Sequence, residues 1–343
     1  MYFRIVFTNY LKNFLMIFIS LNAFFIFIDF MINRTKLPDS FNLKLLYVIY
    51  NSFHAAILIY PLSLLLALLV LVVNMVKKDE MIAFMSIGYS LKKLLIPVAS
   101  LAVLVFMFFI LVQVSITTSF QEKAEQILKG NYNTTEINHN LFFKFNNNII
   151  FIKELDVLHK TAYDMKIFVL NDNKVKIIYQ IKRALFKNNY WEASSIKEYV
   201  FFKNIFIEKN INLHLLKGFK PDILNKLETK QSMTLRVAFQ ALMLLKKENI
   251  NINFIKTYIY EKTIPPLSFI LLIIIVFLKA PIHSRISRVS LYIAISLFFS
   301  IVLWGLYLIV SKMSKIGIIS PDLLFLTPFI TLLGIAIYYF RKI

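Results

Sequence analysis

His54 to Val76 reads HAAILIYPLSLLLALLVLVVNMV, 23 residues without an Asp, Glu, Lys or Arg. A helix of that length rises about 35 Å, enough to cross the roughly 30 Å of hydrocarbon in a bilayer. A surface helix of a soluble protein would carry a charged face, and this stretch has none to turn to water. Five further stretches repeat the pattern: Asn13 to Ile28, continuing past Asp29 to Ile32; Leu94 to Gln121; Thr263 to Leu278; Val289 to Ser311; and Leu323 to Phe340. The fourth span of the six, Thr263 to Leu278, has only 16 residues, so it must extend back through the amphipathic run from Phe254 to Tyr260 to reach spanning length. The first is read as a retained span and not a signal peptide, because Asn33-Arg34-Thr35-Lys36 follows it where small residues would mark cleavage.

Composition agrees with this reading. The 343 residues are 58% hydrophobic, with 34 Phe, yet carry a formal charge of +20 from 39 Lys and Arg against 19 Asp and Glu. Oiliness with crowded charge excludes most soluble enzymes and any disordered tail. Without cysteine there is no disulfide, thiolate metal site or thiol nucleophile. The six glycines fall in no phosphate-cradling spacing, so the chain is not expected to bind a nucleotide itself. The histidines show no paired metal-ligand spacing and there is no GxSxG, so neither metal, cofactor nor catalytic residue is expected.

Positive charge in short loops sets orientation. Arg4, Lys12, Lys77, Lys78, Lys92, Lys93, Lys279, Arg285, Arg288, Arg341 and Lys342 lie on one side; Arg34, Lys36, Lys44, Lys312 and Lys315 lie on the other. Eleven against five places both termini in the cytoplasm and the long segment from about Ser119 to Tyr260 outside. That insert reads as β. Val175, Ile177, Tyr179 and Ile181 recur with period two, and Asn-rich turns separate the runs Leu141 to Phe145, Ile149 to Ile152, Met165 to Leu170, Val175 to Phe186 and Tyr190 to Phe202. Short strands joined this way suggest a sandwich or an open jelly-roll sheet. From Leu235 to Leu245 the apolar period becomes helical. The expected architecture is an α-helical membrane protein with a 3+3 arrangement of six transmembrane helices and an inserted all-β domain. Residues 1–118 hold spans one to three, with a short cytoplasmic helix at about 77–90. Residues 119–232 form the β domain, 233–253 a connecting amphipathic helix, and 254–343 the last three spans.

The order of motifs along nearly the whole chain resembles the LptF/LptG (YjgP/YjgQ) family, the permease subunits of the lipopolysaccharide-export ABC transporter. Lys78 to Ser90, KDEMIAFMSIGYS, is similar to the family's coupling-helix pattern, an acid followed eight positions on by Gly. Ala184 through Trp191, Phe219-Lys220-Pro221-Asp222, Ser232-Met233-Thr234-Leu235, Glu261 through Leu267, and Ser320-Pro321-Asp322 with Pro328 follow in the family's order. Phe27-Ile28-Asp29 resembles LptG slightly more, although the lysine that LptG-like chains can carry three residues before the aspartate is Ile26 here. The resemblance implies a multi-pass bacterial inner-membrane protein with a jelly-roll periplasmic domain. It also implies a second LptF/LptG-type permease, a cytoplasmic LptB-like ATPase dimer, periplasmic LptC/LptA-type jelly-roll proteins, and lipopolysaccharide as cargo for outer-membrane biogenesis.

Three sets of residues are candidates for that work. Asp79, Glu80, Ile82, Met85 and Gly88 would form the ATPase coupling helix, with Glu80 docking on the ATPase. The plainer account is that acids favour any first helical turn. Arg34, Lys36, Lys44, Lys123 and Lys312, at outer span ends, would hold an anionic lipid headgroup; the alternative for each is snorkelling to the interface. Asp29 joins this set as the one acid inside an apolar span, expected to face protein or a cavity with Arg34 as its partner, or to sit at the interface. His54, at the start of span two, is read as interfacial. Phe142, Phe145, Ile149 and Phe151 would line a lipid path in the β domain or belong to its core.

The competing functions are a membrane-embedded glycolipid-processing enzyme, a different ABC-type lipid or lipoprotein permease, and a structural or sensory protein. The first should show acidic or histidine clusters at the interface, and the last more commonly needs one or two spans. The charge of +20 divides into +9 on residues 116–262 and +11 on the spans and short loops, much of it fixing topology and none forming a dense nucleic-acid face.

Overall fold

The computed structural model describes residues 2–115, 117–130, 137–145, 148–157, 159–171, 174–188, 190–193, 196–200, 205–209, 213–215, 221, 234–247, 252–282, 286–317 and 319–342. The chain divides into two units: residues 1–128 with 253–343, and Lys129–Ile252.

The first unit is helical: α1 (Tyr2–Asn33), α2 (Phe41–Lys77), α3 (Glu80–Ser86), α4 (Leu91–Ser115) and α5 (Thr117–Leu128), then the three helices that follow the insert. Among the described residues six helices are long and apolar enough to cross a membrane: Tyr2–Asn33, Phe41–Lys77, Leu91–Val114, Asn253–Leu278, Val289–Ile316 and Pro321–Lys342. The fourth begins at Asn253, so the amphipathic run before Thr263 is part of the span. Prolines 61, 97, 265, 266 and 328 sit inside these helices. Membrane helices tolerate them because neighbouring helices and side chains satisfy the freed carbonyls.

The core is built around α2 and Asn253–Leu278, each with over half of its most apolar window buried. The Tyr10 hydroxyl donates to the Leu64 carbonyl at 2.9 Å, tying α1 to α2. The Tyr60 ring stacks on Phe109 of α4 with centroids 4.1 Å apart. Large apolar side chains stay exposed along α1, α4 and the last two helices, among them Phe24, Phe108, Phe298 and Ile330. A soluble monomer rarely shows so much contiguous apolar surface, and hydrocarbon or a partner helix is the medium that suits it.

The second unit carries β1 (Ile137–Phe145), β2 (Asn148–Asp156), β3 (Thr161–Asn171), β4 (Lys174–Lys187), β5 (Tyr190–Ala193), β6 (Ile196–Val200), β7 (Ile205–Lys209), β8 (Leu213–Leu215) and the helix α6 (Leu235–Lys247). All pairings are antiparallel, and the order is that of a meander: β1-β2-β3-β4, then β5 and β6 on β4, with β8 on β5 and β7 on β6. β5 and β6 continue a single register along β4, from Lys187↔Tyr190 to Ile177↔Val200, so the run that begins at Tyr190 holds two short strands in line, with residues 194, 195, 201 and 202 outside the described residues. The turn between them and β4 uses Asn188 at φ 48°, a left-handed position that Asn tolerates.

The register places Leu141, Ile152, Met165, Ile181 and Ile196 in one row across five strands, and all five are buried. A neighbouring row, Leu155, Ala162, Ala184 and Ala193, is buried as well. Within each row's neighbourhood the alternation has period two, but the rows stand three residues apart on each strand, so its phase changes between them, where Asn140 (φ 59°) and Asp164 (φ 49°) are left-handed. Ile181→Val, which removes one methyl group from the middle of the first row, is expected to cost the β unit about 1 kcal/mol. The fluorescence of the buried Trp191, followed through denaturation of the chain in a Trp304→Phe background, measures this.

The remaining helices are α7 (Asn253–Leu278), α8 (Ile286–Ile316) and α9 (Pro321–Lys342).

Candidate functional site

Three places in the helical unit bring chemistry-bearing residues together. The first is α3 and its ends. Asp79, the N-cap, is exposed and left-handed at φ 55°, and Glu80 opens the helix half-buried. Among the described residues no side-chain hydrogen bond or ion pair engages either acid. The helix ends on Gly88 at φ 94°, where the Gly88 N–H donates to the Met85 carbonyl at 3.0 Å and the Tyr89 N–H to the Phe84 carbonyl at 3.1 Å. These two bonds, with the Phe84 and Tyr89 rings 6.3 Å apart, are the paired bonds and apolar clasp of a Schellman stop. Tyr89 also meets Tyr2 of α1 at 4.3 Å, and Met81 is buried, so this short helix is anchored on the span bundle. Ile82 and Met85 are half-buried and Ile87 is exposed.

A Cβ at Gly88 would meet nothing within 4 Å, so the cost of Gly88→Ala is backbone strain alone. About 1 kcal/mol is expected from the left-handed geometry, which is roughly fivefold faster amide exchange across residues 80–89. Exchange monitored by mass spectrometry checks it.

The second place is where the end of α1 meets the start of α2. α2 begins at Phe41, so His54 lies well inside the helix and not at its start. At about 55 Å, α2 is much longer than the hydrocarbon is thick. Its first turns form a small cap with the end of α1 and with α5, in which Leu37, Tyr47, Ala124 and Ile127 are buried. Phe120 of α5 stacks on Phe53 with centroids 4.7 Å apart.

Asp29 sits at the base of this cap. The Tyr47 hydroxyl donates to its Oδ2, and so does Asn51 Nδ2 at 2.6 Å, while Asn33 Nδ2 reaches Oδ1 at 3.3 Å. The partners are thus neutral donors, two of them buried, and not Arg34. Asp29 also borders a cavity of about 390 Å³, walled by Phe25, Ile28 and Ile32 of α1, Leu58 and Leu62 of α2, and Trp304 of α8.

The five cations expected to hold a headgroup lie beyond or within about two turns of a helix end. Arg34 and Lys36 are exposed just beyond α1, and Lys44 is half-buried in the first turn of α2. Lys123 of α5 is exposed with its ammonium 5.5 Å from the Tyr50 ring centre, and Lys312 is exposed on α8. Among the described residues no carboxylate pairs with Arg34, Lys36, Lys44 or Lys312.

The third place is a polar tie that sequence reasoning missed. Lys256 and Tyr260 of α7 both reach Asp322 of α9 at 2.6 Å, Glu261 meets Lys315 of α8 at 2.7 Å, and Thr257 bonds Ser314 at 2.6 Å. Glu261 and Asp322 lie in the quoted motifs, and here they join α7 to its two neighbours. Lys315 is held by Glu261, while Lys312 is not.

In the β unit, Phe142, Ile149 and Phe151 share the face opposite the buried row; Phe142 is exposed, the other two are half-buried, and the Phe142 and Phe151 rings are 6.3 Å apart. Phe145 pairs with Asn148 at the end of β1, and its side chain lies outside the described residues.

Six helices able to span a bilayer among the described residues, with an antiparallel β domain inserted between the third and fourth, define a multi-pass membrane protein. The family model described as "Lipopolysaccharide export system permease LptF/LptG" matches residues 4–342, and the chain belongs to that family. A search of curated proteins finds no match.

Proposed function

We propose that this permease is the transmembrane subunit of an ATP-driven lipopolysaccharide exporter, with a second permease of its family as partner and the ATPase on a separate cytoplasmic dimer. The observation that carries the reading is the pairing, in one helical unit, of an apolar cavity between spans with an anchored helix whose acids are unengaged among the described residues. Acyl chains of the cargo enter the cavity beside Phe25, Ile28 and Trp304. Arg34, Lys36, Lys44, Lys123 and Lys312 meet the phosphates at the outer headgroup level, where cations balance an anionic lipid at least cost. Both termini and α3 face the cytoplasm in this reading, and the β domain lies in the periplasm.

ATP binding on the partner moves α3 as a rigid body, with Asp79 and Glu80 contacting the ATPase, Ile82 and Met85 supporting the contact and Gly88 fixing the helix end. Closure of the cavity expels the lipid toward the β domain. There Phe142, Ile149 and Phe151 give its chains apolar contacts before handover to periplasmic jelly-roll proteins of the LptC/LptA type.

Co-purification tests the assembly: a complex of this chain with a partner permease and an ATPase, stimulated by lipopolysaccharide, is expected. A chain that alone turns over glycolipid would establish the enzyme reading instead. A photoreactive residue at Arg34 or Lys36 is expected to capture lipopolysaccharide, with none captured from Lys92; the reverse pattern would remove the outer cations from the mechanism.

A further inference from the structure

A second cavity, of about 740 Å³, opens at the opposite ends of the last three helices. Its depth is apolar: Leu272 and Ile275 of α7, Ile295 and Phe299 of α8, Leu332 and Ile335 of α9. Its mouth carries Lys279, Tyr338 and Tyr339. Every lining residue falls within about four turns of a helix end, so the groove reaches only about one leaflet deep.

The mouth is cationic. Lys279, the cation in the lining, lies 4.4 Å from the Tyr339 ring centre; beside the lining, Lys92 of α4 lies 5.1 Å from Phe340 and Lys342 lies 5.9 Å from Tyr338. Ring faces of the last turns of α9 thus hold three ammonium groups at the headgroup level. No carboxylate pairs with them among the described residues. The sequence has no Asp or Glu from Lys262 to Pro321 or after Asp322. Deep apolar walls under a cationic rim without a counterion match an amphiphile whose head is anionic.

We propose that this groove binds an anionic diacyl glycerophospholipid, at a site separate from the cavity beside Trp304. A transmembrane helix of a partner would bring its own cytoplasmic Lys and Arg against these ammonium groups, which disfavours it as the occupant. Bound lipid would fill the seam between α7, α8 and α9. The site does not depend on the export reading, because none of its lining residues is among those assigned above to cargo or ATPase.

Gly334 makes the test clean. It lines the groove, its Cβ would meet nothing within 4 Å, and it sits in regular helix, so Gly334→Leu fills the space while improving helix propensity. The full-length chain, with whatever partners co-purify, is stripped of lipid in detergent and titrated with phosphatidylglycerol, phosphatidylcholine or lipopolysaccharide, with binding read by native mass spectrometry. Wild type is expected to retain phosphatidylglycerol over phosphatidylcholine. Lys279→Glu is expected to weaken that retention about tenfold, as loss of one surface cation and gain of an acid imply, and Gly334→Leu to abolish it at unchanged thermal stability. Equal retention of phosphatidylglycerol and phosphatidylcholine, or retention unaffected by both variants, would overturn the proposal. So would displacement of phosphatidylglycerol by lipopolysaccharide, or capture of a protein and not a lipid by a photoreactive residue at Ile335. Each of these results leaves export itself to be judged by the cavity near Phe25.

Discussion

Glu80→Arg is expected to abolish lipopolysaccharide export and to reduce ATPase co-purification by at least about thirtyfold, the equivalent of about 2 kcal/mol at a desolvated charged contact. The loss should be functional and not structural. α3 is held by the buried Met81, by the Tyr89 and Tyr2 rings and by the Gly88 stop, none of which involves the Glu80 carboxylate. Placing a cation in a first helical turn costs only about 0.3–1 kcal/mol, too little to unfold an anchored helix. Circular dichroism and thermal unfolding of the variant should therefore match wild type, while pull-down of the ATPase and export both fail. Glu80→Gln, which keeps shape and removes charge, is expected to fall between the two. If Glu80→Arg assembles with the ATPase and exports at wild-type levels, the acid serves only to start its helix.

Asp29→Ala is expected to destabilise the helical unit by about 2–5 kcal/mol. The carboxylate accepts from Tyr47 and Asn51, both buried, and from Asn33. Removing it leaves these donors without their acceptor, each at about 1–3 kcal/mol. Asp29→Asn retains an oxygen and should lose less, and Tyr47→Phe, which removes one donor and leaves the carboxylate its others, less still. The midpoint of thermal unfolding in detergent ranks the three variants. An acid that merely sits at the membrane interface would give Asp29→Ala the stability of wild type.

The six spans were legible because a bilayer excludes charge, so uncharged length alone marks them. The start of α2 was not. Phe41 to Phe53 contains Lys44 and the amides Asn42 and Asn51, and only the cap formed with α1 and α5 shows what this stretch packs against. Asp29 was visible as an anomaly, but its partners lie 18 and 22 positions away on another helix, and spacing carries no record of a contact between helices. For the same reason Glu261 and Asp322 could be noticed as motif residues without their role in tying α7 to α8 and α9. In the β unit, alternation identified the strands. The branching of β4 to both β5 and β6 is a matter of register along a 14-residue strand, and the turn residues around Asn188 give it only in part. The α3 stop was readable locally, because Gly at the position after a short apolar helix has a backbone reason to be there.

The central claim is that the cavity between α1, α2 and α8 carries lipopolysaccharide and empties when ATP is spent. A photoreactive p-benzoylphenylalanine in place of Phe25, an aromatic side chain already on that wall, reports on it directly. In vesicles containing the chain, its partners and lipopolysaccharide, irradiation before ATP is added should yield a lipopolysaccharide adduct, and irradiation after ATP turnover should yield much less. An adduct with phospholipid alone, or a lipopolysaccharide adduct whose yield ATP leaves unchanged, would contradict the account.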